Sequence, residues 1–262
     1  MEPIEFYKYQ GSGNDFILIE DYKDEFLALH RGKIPHLCHA HYGIGADGLL
    51  LLQRSNIADL KMRIFNQNGS EARMCGNGLR CVGKHFGKDC SIETLAGISI
   101  IELPGDLVRA SLPIAEMIEA SIALPMNLEG HLVDTGTEHL VIFVDDLTAP
   151  ELPRLAELYR EHEMFAPSSV NVNYVKVESK MILSIRTFEK GVTHETISCG
   201  TGGAAAAFAY NQIVEQQPRL KVFSRHKVET SYTIDHLNTI WMTGPAELVF
   251  TGNFVGKKIL IQ

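Results

Sequence analysis

Two five-residue segments, Met74-Cys75-Gly76-Asn77-Gly78 and Ser198-Cys199-Gly200-Thr201-Gly202, stand 199 − 75 = 124 residues apart in a chain of 262. Each places a cysteine at the mouth of a predicted helix. There, unpaired backbone N–H groups and the helix dipole favour a thiolate and attract an anion such as a carboxylate. The likeness extends upstream, since Arg63-Ile64-Phe65-Asn66 precedes Cys75 much as Arg186-Thr187-Phe188-Glu189 precedes Cys199. In both copies a glutamate, Glu71 or Glu195, stands four residues before the cysteine. A strand, a polar turn, a cysteine and a helix therefore occur twice, the pattern of a duplicated unit.

A chain of this length buries a core as one large domain or two ordinary ones, and the repeat favours two. The net charge of −8, without a basic cluster, argues against a nucleic-acid partner. Apolar runs such as Leu49–Leu52 and Leu140–Val144 are too short to span a bilayer, so no membrane role is expected. The N-terminal residues lack the basic and apolar regions of a secretory signal, which makes the cytoplasm the expected location. Five cysteines (Cys38, Cys75, Cys81, Cys90 and Cys199) include no CxxC pair and form an odd number, as expected of reduced thiols rather than a disulfide framework.

Short β-rich runs dominate both halves: Ile4–Tyr9, Phe16–Glu20, Lys61–Phe65, Gly97–Leu103 and Leu107–Leu112 in the first. The second holds Leu132–Thr135, Leu140–Val144, Val172–Val177, Met181–Phe188, Leu220–Val222, Thr239–Thr243 and Ala246–Thr251. Helices are predicted over Lys33–His41, Asn77–Phe86, Pro150–His162 and Gly200–Glu215. From Gly200 to Val214 there is no charged residue, and a helix apolar around its circumference is buried on all sides, most simply inside a wrap of strands. The helix after Cys75 carries Arg80, Lys84 and His85, which predicts partial burial. Weak patterning from Pro113 to Pro125 marks the expected domain boundary.

Other motifs fail on context. Gly43-Ile44-Gly45-Ala46-Asp47-Gly48 has GxGxxG spacing, but a helical pattern precedes it and strand-like leucines follow, the reverse of a dinucleotide site; a tight turn is the better account. His36, Cys38, His39 and His41 crowd together, yet only His36 and His39 would share a helix face and no second cluster completes a metal site. Cys38, Cys81 and Cys90 read as buried, inert thiols. Cys75 and Cys199 are left as either an acid/base pair or a redox pair.

If the duplicated halves face each other, a carboxylate bound between the helix N-termini accepts N–H bonds from both, and the thiols flank the neighbouring carbon. One thiolate removes a proton and the other thiol delivers one, which inverts a stereocentre without metal or cofactor. The residues that carry this scheme resemble the diaminopimelate epimerase family over nearly the whole chain. Lys8 with Gly11-Ser12-Gly13-Asn14-Asp15-Phe16, the Gly43–Gly48 run, Asn66–Glu71 leading to Met74–Cys81, and Glu189-Lys190-Gly191 with Glu195-Thr196 and Cys199–Gly202 are each similar to its motifs.

The resemblance implies a mixed α/β fold of α+β type: two pseudo-symmetric domains, each a strand-rich wrap around a central helix, with the site in the cleft between them. The expected domains are 1–115, joined by a final strand at about 254–262, and 116–253. It implies Cys75 and Cys199 as acid/base catalysts, with His139 and Glu189 tuning the thiols or meeting the substrate ammonium. Amides at Gly76, Asn77, Gly200 and Thr201 would hold the reacting carboxylate, and Asn14, Asn66 and Asn171 would bind substrate. No cofactor or metal is implied; the partner is a small amino-acid substrate, and a homodimer is compatible. Two departures fall where the family grips the substrate's distal end: Thr137-Glu138-His139 replaces Asn-Pro-His, and Lys190 replaces an arginine. A lysine offers one compact charge where arginine offers a bidentate fork, so discrimination at that end is expected to change, toward a shorter acidic amino acid such as glutamate. Phenazine-type isomerases lack the cysteine pair and proline racemases differ in the surrounding motifs. From another class, a redox-sensing binding protein would use the two thiols as a reversible disulfide.

Overall fold

The computed structural model describes residues 3–112, 115–192 and 195–255. It is a mixed α/β structure, rich in strands and poor in helices, and contacts divide it into two compact units, Met1–Val108 with Pro245–Gln262, and Arg109–Gly244.

In the first unit, β1 (Ile4–Gly11) and β2 (Asn14–Glu20) form a hairpin. Two short helices, α1 (Phe26–His30) and α2 (Ile34–Cys38), carry the chain to β3 (Gly48–Gln53), parallel to β2. β4 (Leu60–Asn66) returns antiparallel and ends in a turn closed by the two-residue β5 (Glu71–Ala72). Helix α3 (Gly76–Phe86) crosses to β6 (Cys90–Thr94), parallel to β4, and β7 (Gly97–Glu102) completes the hairpin. β3 is buried along its whole length because α1 and α2 cover one face, with Leu49 and Leu51 in their cluster, while Leu50 meets α3 beside Gly78. A strand covered on both faces reads as a continuous leucine run rather than an alternation.

The second unit repeats this path. After β8 (Val108–Ser111), β9 (Glu116–Leu124) pairs with β10 (Leu128–Asp134), which forms a hairpin with β11 (Glu138–Phe143). Helix α4 (Leu152–Arg160) leads to β12 (Asn171–Ser179), parallel to β11, and β13 (Ile182–Phe188) returns antiparallel. Helix α5 (Gly200–Ile213) then crosses to β14 (Leu220–Ser224), parallel to β13, followed by the antiparallel β15 (Glu229–Ile234) and β16 (Ile240–Gly244). The chain re-enters the first unit as β17 (Glu247–Phe254), antiparallel to β1. Each unit thus contains hairpin, parallel crossover, hairpin and a second parallel crossover, and both cysteines lie on the second crossover.

Helix α5 is buried from Gly200 through Tyr210 and packs against β10 through β16 of its own unit. Helix α3 is buried from Gly76 through Gly83 and half-buried over its last three residues, 84–86, so Arg80, expected on a partly exposed helix, is fully enclosed. The helix expected over Lys33–His41 is shorter. A 3₁₀ turn covers Arg31–Lys33, α2 stops at Cys38, and His39 is extended because the following turn folds back to donate the Ile44 and Gly45 N–H groups to Leu37 O. Gly43 is essential to that turn, since a Cβ there would lie 1.9 Å from His36 O. His36 and His39 consequently do not share a helix face. The weakly patterned 113–125 segment holds β9, whose side chains are mostly exposed. Residues 256–262 of the expected final strand lie outside the described residues. Among the described residues no helix is long and apolar enough to cross a membrane.

Candidate active site

Both cysteines are helix N-caps. Cys75 is extended (φ −148°, ψ 120°) and its Sγ accepts the N–H of Gly78 at 3.5 Å. Cys199 is likewise extended (φ −116°, ψ 111°), and its Sγ accepts the N–H of Gly202 at 3.4 Å. In each case sulfur occupies the place of a capping oxygen, at the positive end of the helix dipole. Both thiols are partly exposed, whereas Cys38, Cys81 and Cys90 are buried. Burial pushes the Cys38 thiol up to about 12, the Cys90 thiol up to about 11 and the Cys81 thiol further, so these three stay protonated and inert.

The turn before each cysteine is pinned by an arginine–glutamate fork. Arg63 on β4 donates from Nε and Nη2 to the two oxygens of Glu71 at 2.7 and 2.8 Å. Arg186 on β13 does the same to Glu195 at 3.0 and 2.8 Å, and Arg225 adds a third bond at 2.7 Å. Each guanidinium also lies 5.4 Å from a ring centroid, Phe65 or Phe188. The repeat read in the sequence is therefore a mechanical one: strand arginine, turn glutamate, cysteine cap.

Around Cys75 the structure gathers Asn14 and Asn77. Asn14 Oδ1 lies 3.8 Å from Cys75 Sγ and accepts from Asn77 Nδ2 at 3.3 Å, while Asn14 Nδ2 donates to Asp47 at 2.8 Å. Asp47 belongs to the glycine-rich run, which forms the expected turn with Gly45 at φ +79°. Asn66, at the end of β4, donates to Ser70 Oγ at 2.9 Å within its own turn.

In the second unit Asn171 joins Thr137 to Lys190. Its Nδ2 donates to Glu138 O at 2.9 Å and Thr137 Oγ1 at 3.4 Å, and its Oδ1 accepts the Lys190 N–H at 3.0 Å. The two positions that depart from the family pattern are thus bridged by one asparagine. Glu189 directly follows β13, and its carbonyl accepts from Arg160 at 2.8 Å. Thr201 O and Gly200 O, in the first turn of α5, accept from Thr135 Oγ1 at 3.3 Å and Tyr232 OH at 3.0 Å.

His139 is fully buried, and burial, aided by the positive charge of Lys190, drops its imidazole to about 3. It is neutral at physiological pH. Asn173 Nδ2, oriented by the carbonyls of Leu140 and Asn171, donates to His139 Nδ1 at 3.0 Å, so the ring proton sits on Nε2. That Nε2 has no hydrogen-bond partner among the described residues. Thr187 Oγ1 donates to Asn173 Oδ1 at 3.0 Å and completes the chain. Sequence does not single out Asn173, Thr187, Asp47 or Arg80 as site residues, although Asp47 and Arg80 lie inside the Gly43–Gly48 and Met74–Cys81 motifs and Asn173 stands two positions after Asn171 on the same strand face.

Residues 6–109 and 131–249 match the family model for diaminopimelate epimerase. The chain is 40% identical to the diaminopimelate epimerase of Methanothrix thermoacetophila, over 79% of this chain and 81% of that one. It is 37% identical to the Methanocella arvoryzae diaminopimelate epimerase, over 96% of this chain and 97% of the relative. Among solved structures it resembles a PhzF-family phenazine biosynthesis protein of Bacillus anthracis, with TM-score 0.73, 19% identity, and 98% and 100% of the two chains covered. A hydroxyproline epimerase from Agrobacterium vitis shares the fold at TM-score 0.73 and 13% identity, with 96% and 92% covered.

Proposed function

We propose, from the premise that the chain belongs to the diaminopimelate epimerase family and is an isomerase, that it interconverts LL- and meso-diaminopimelate by proton transfer through Cys75 and Cys199. One thiolate takes the α-proton of the substrate and the other thiol returns a proton to the opposite face of the same carbon. The observation that carries this reading is the recurrence, in both units, of a partly exposed cysteine capping a helix with its sulfur on a backbone N–H. The amides of Gly76, Asn77, Gly200 and Thr201 then stabilise the substrate carboxylate as negative charge develops on it in the transition state. His139, neutral with its proton on Nε2, serves as a donor rather than a cation. This chemistry needs neither metal nor cofactor, and the substrate would place the enzyme in lysine biosynthesis in the cytoplasm.

Specificity at the distal end of the substrate is the finer point. Lys190 in place of arginine loses the planar fork, and Thr137 presents one hydroxyl to Asn171 where an amide would present a donor and an acceptor. A looser grip on the distal amino acid moiety follows, with racemisation of a shorter acidic substrate such as glutamate beside the main activity. A stereochemical assay against LL- and meso-diaminopimelate and against D- and L-glutamate tests both levels. Turnover of diaminopimelate alone, at full rate, removes the relaxed specificity; no turnover of any of them removes the proposed reaction.

A further inference from the structure

The polar contacts beside Cys75 run in one direction, from a cation to an anion. Arg80, fully buried on α3, donates from Nη2 to Asn77 Oδ1 at 2.6 Å and to Ser12 Oγ at 2.9 Å, and from Nη1 to Pro245 O at 2.9 Å. Asn77 Nδ2 donates to Asn14 Oδ1, and Asn14 Nδ2 donates to Asp47 Oδ2. Asp47 is anchored in turn. Its N–H donates to Asp15 Oδ1 at 3.0 Å, the Asp15 N–H donates to Asp47 Oδ2 at 3.3 Å, and Lys8 pairs with Asp15.

The ends settle the middle. The two faces of an asparagine amide differ only in which atom is N and which is O, and its neighbours decide between them. A guanidinium only donates, so Arg80 fixes the orientation of Asn77, whose Nδ2 then faces Asn14 Oδ1; burial and the Asp15 carboxylate raise the Asp47 carboxyl, while the N–H bonds from Asn14 and Asp15 favour its ionised, accepting form, which holds Asn14 the same way from the other end. The atom left facing Cys75 Sγ is the acceptor Asn14 Oδ1. A thiol satisfies that oxygen by donating its S–H; a thiolate would set its charge against the oxygen lone pairs. Both sulfurs accept a helix N–H, from Gly78 at Cys75 and from Gly202 at Cys199; Cys199 differs in its other neighbour, Thr201 Oγ1 at 3.4 Å, a hydroxyl able to donate. Hydrogen bonds to the charged form lower a pKa, and an acceptor facing the thiol raises it.

We propose that Arg80 and Asp47 are positioning residues that set the direction of an Asn77–Asn14 amide relay and so hold Cys75 as the protonated member of the cysteine pair in the resting protein. The relay acts through Asn14 and touches no reacting atom. The acid role this gives Cys75 rests on the proposed epimerase reaction; the thiol state does not.

The test is alkylation of the full chain by iodoacetamide without substrate, read separately at Cys75 and Cys199 by mass spectrometry across neutral and alkaline pH. The wild-type Cys75 profile has the more alkaline midpoint of the two. Asp47→Asn combined with Arg80→Gln removes both fixed ends, lets Asn77 and Asn14 turn together so that Asn14 presents its N–H to the sulfur, and moves the Cys75 midpoint down by about one unit. That raises the thiolate fraction about tenfold and, after the accompanying loss of nucleophilicity, the rate at neutral pH about threefold. Asn14→Asp puts a carboxylate against the sulfur and slows Cys75 instead. The Cys199 profile stays in place in both variants.

General loosening of the turn would accelerate Cys75 in both variants, so opposite signs are the signature of the relay. The proposal is overturned if the Arg80→Gln, Asp47→Asn protein folds and leaves the Cys75 profile unchanged, if both variants shift it the same way, or if Cys199 has the more alkaline midpoint. If that protein does not fold, Asn14→Asp decides alone, and a Cys75 rate at or above wild type overturns it. An inactive protein with the expected profiles would sink the proposed reaction and leave the relay standing.

Discussion

On β4, Arg63 forks onto Glu71 and the chain turns into Cys75; on β13, Arg186 forks onto Glu195 and the chain turns into Cys199. From there the two copies diverge. Both helices are buried over their first turns, but α3 opens on a relay with charged ends, whereas the neighbours of α5, Thr187, Asn173 and His139, form a neutral buried chain. The arginine–glutamate scaffold that presents the sulfur is common to both units, and the polar surroundings are particular to each. Two thiols in the same cap with different company is what a reaction needing one base and one acid requires.

The largest effect should come from a charge placed in a buried helix face. Ala207, fully buried in α5, leaves no room or partner for a charge, so Ala207→Lys is expected to cost about 5 kcal/mol or more and abolish folding. Lys84→Ala on the outer side of α3 should change stability by only about 0.5 kcal/mol, as measured by urea denaturation. Next come the forks. Although burial opposes it in both, Arg186 and Arg225 hold the Glu195 carboxyl below its usual range, and Arg63, with added charge from Arg31 and Lys61, does so for Glu71. Glu195→Gln strands Arg186, whose side chain is 8% exposed, and should cost about 3 kcal/mol; Glu71→Gln, opposite an Arg63 that is 23% exposed, about half that. Equal costs would mean that the extra arginine and deeper burial carry no weight.

Acid should act through His139. Above pH 6.5 His139 is neutral in the folded and the unfolded chain and contributes nothing to the pH dependence. Below it the unfolded chain takes up a proton that the buried ring refuses until about pH 3, so stability falls through that window. The loss at pH 5 is about 2 kcal/mol, and His139→Gln should remove that part of the slope in denaturation curves at pH 7 and pH 5. The smallest contrast concerns the glycine three residues after each cysteine. A Cβ at Gly202 would lie 2.4 Å from Asn173 Oδ1, a buried amide held on both sides, whereas at Gly78 it would lie 3.1 Å from the end of the flexible Leu50. Gly202→Ala should therefore cost about 1–2 kcal/mol and Gly78→Ala close to nothing.

How far these features could be read from sequence depends on what each residue advertises. The charge-free run after Cys199 is its own evidence of burial, and the cysteine caps announce themselves by flanking glycines. β9 does not, because its nine residues are largely exposed and Ser121 has a positive φ that interrupts alternation. β15, Glu-Thr-Ser-Tyr-Thr-Ile, is too polar to stand out, although Thr230, Ser231 and Tyr232 are buried. α2 looked longer because apolar spacing continues past Cys38, and it ends early because Gly43 lets the turn close against the helix end. Of the site, Asn171 was legible, but not that it bridges Thr137 and Lys190. Asp47 is legible as part of a turn and of a motif similar to the family's, but its contact with Asn14 depends on pairing between β2 and β3 across the α1–α2 crossover. Long-range pairing of this kind leaves no local trace in the chain.

The central claim, that Cys75 and Cys199 each handle one proton at the same carbon, is tested most directly by deuterium incorporation at the substrate α-carbon in deuterated solvent. The assay starts from LL- or meso-diaminopimelate with reductant present. The wild type should invert the centre with one solvent deuteron in each product molecule, and Cys75→Ala and Cys199→Ala should each lower net inversion by about three orders of magnitude. Inversion without solvent deuterium, or inversion at the wild-type rate in either alanine variant, would contradict it.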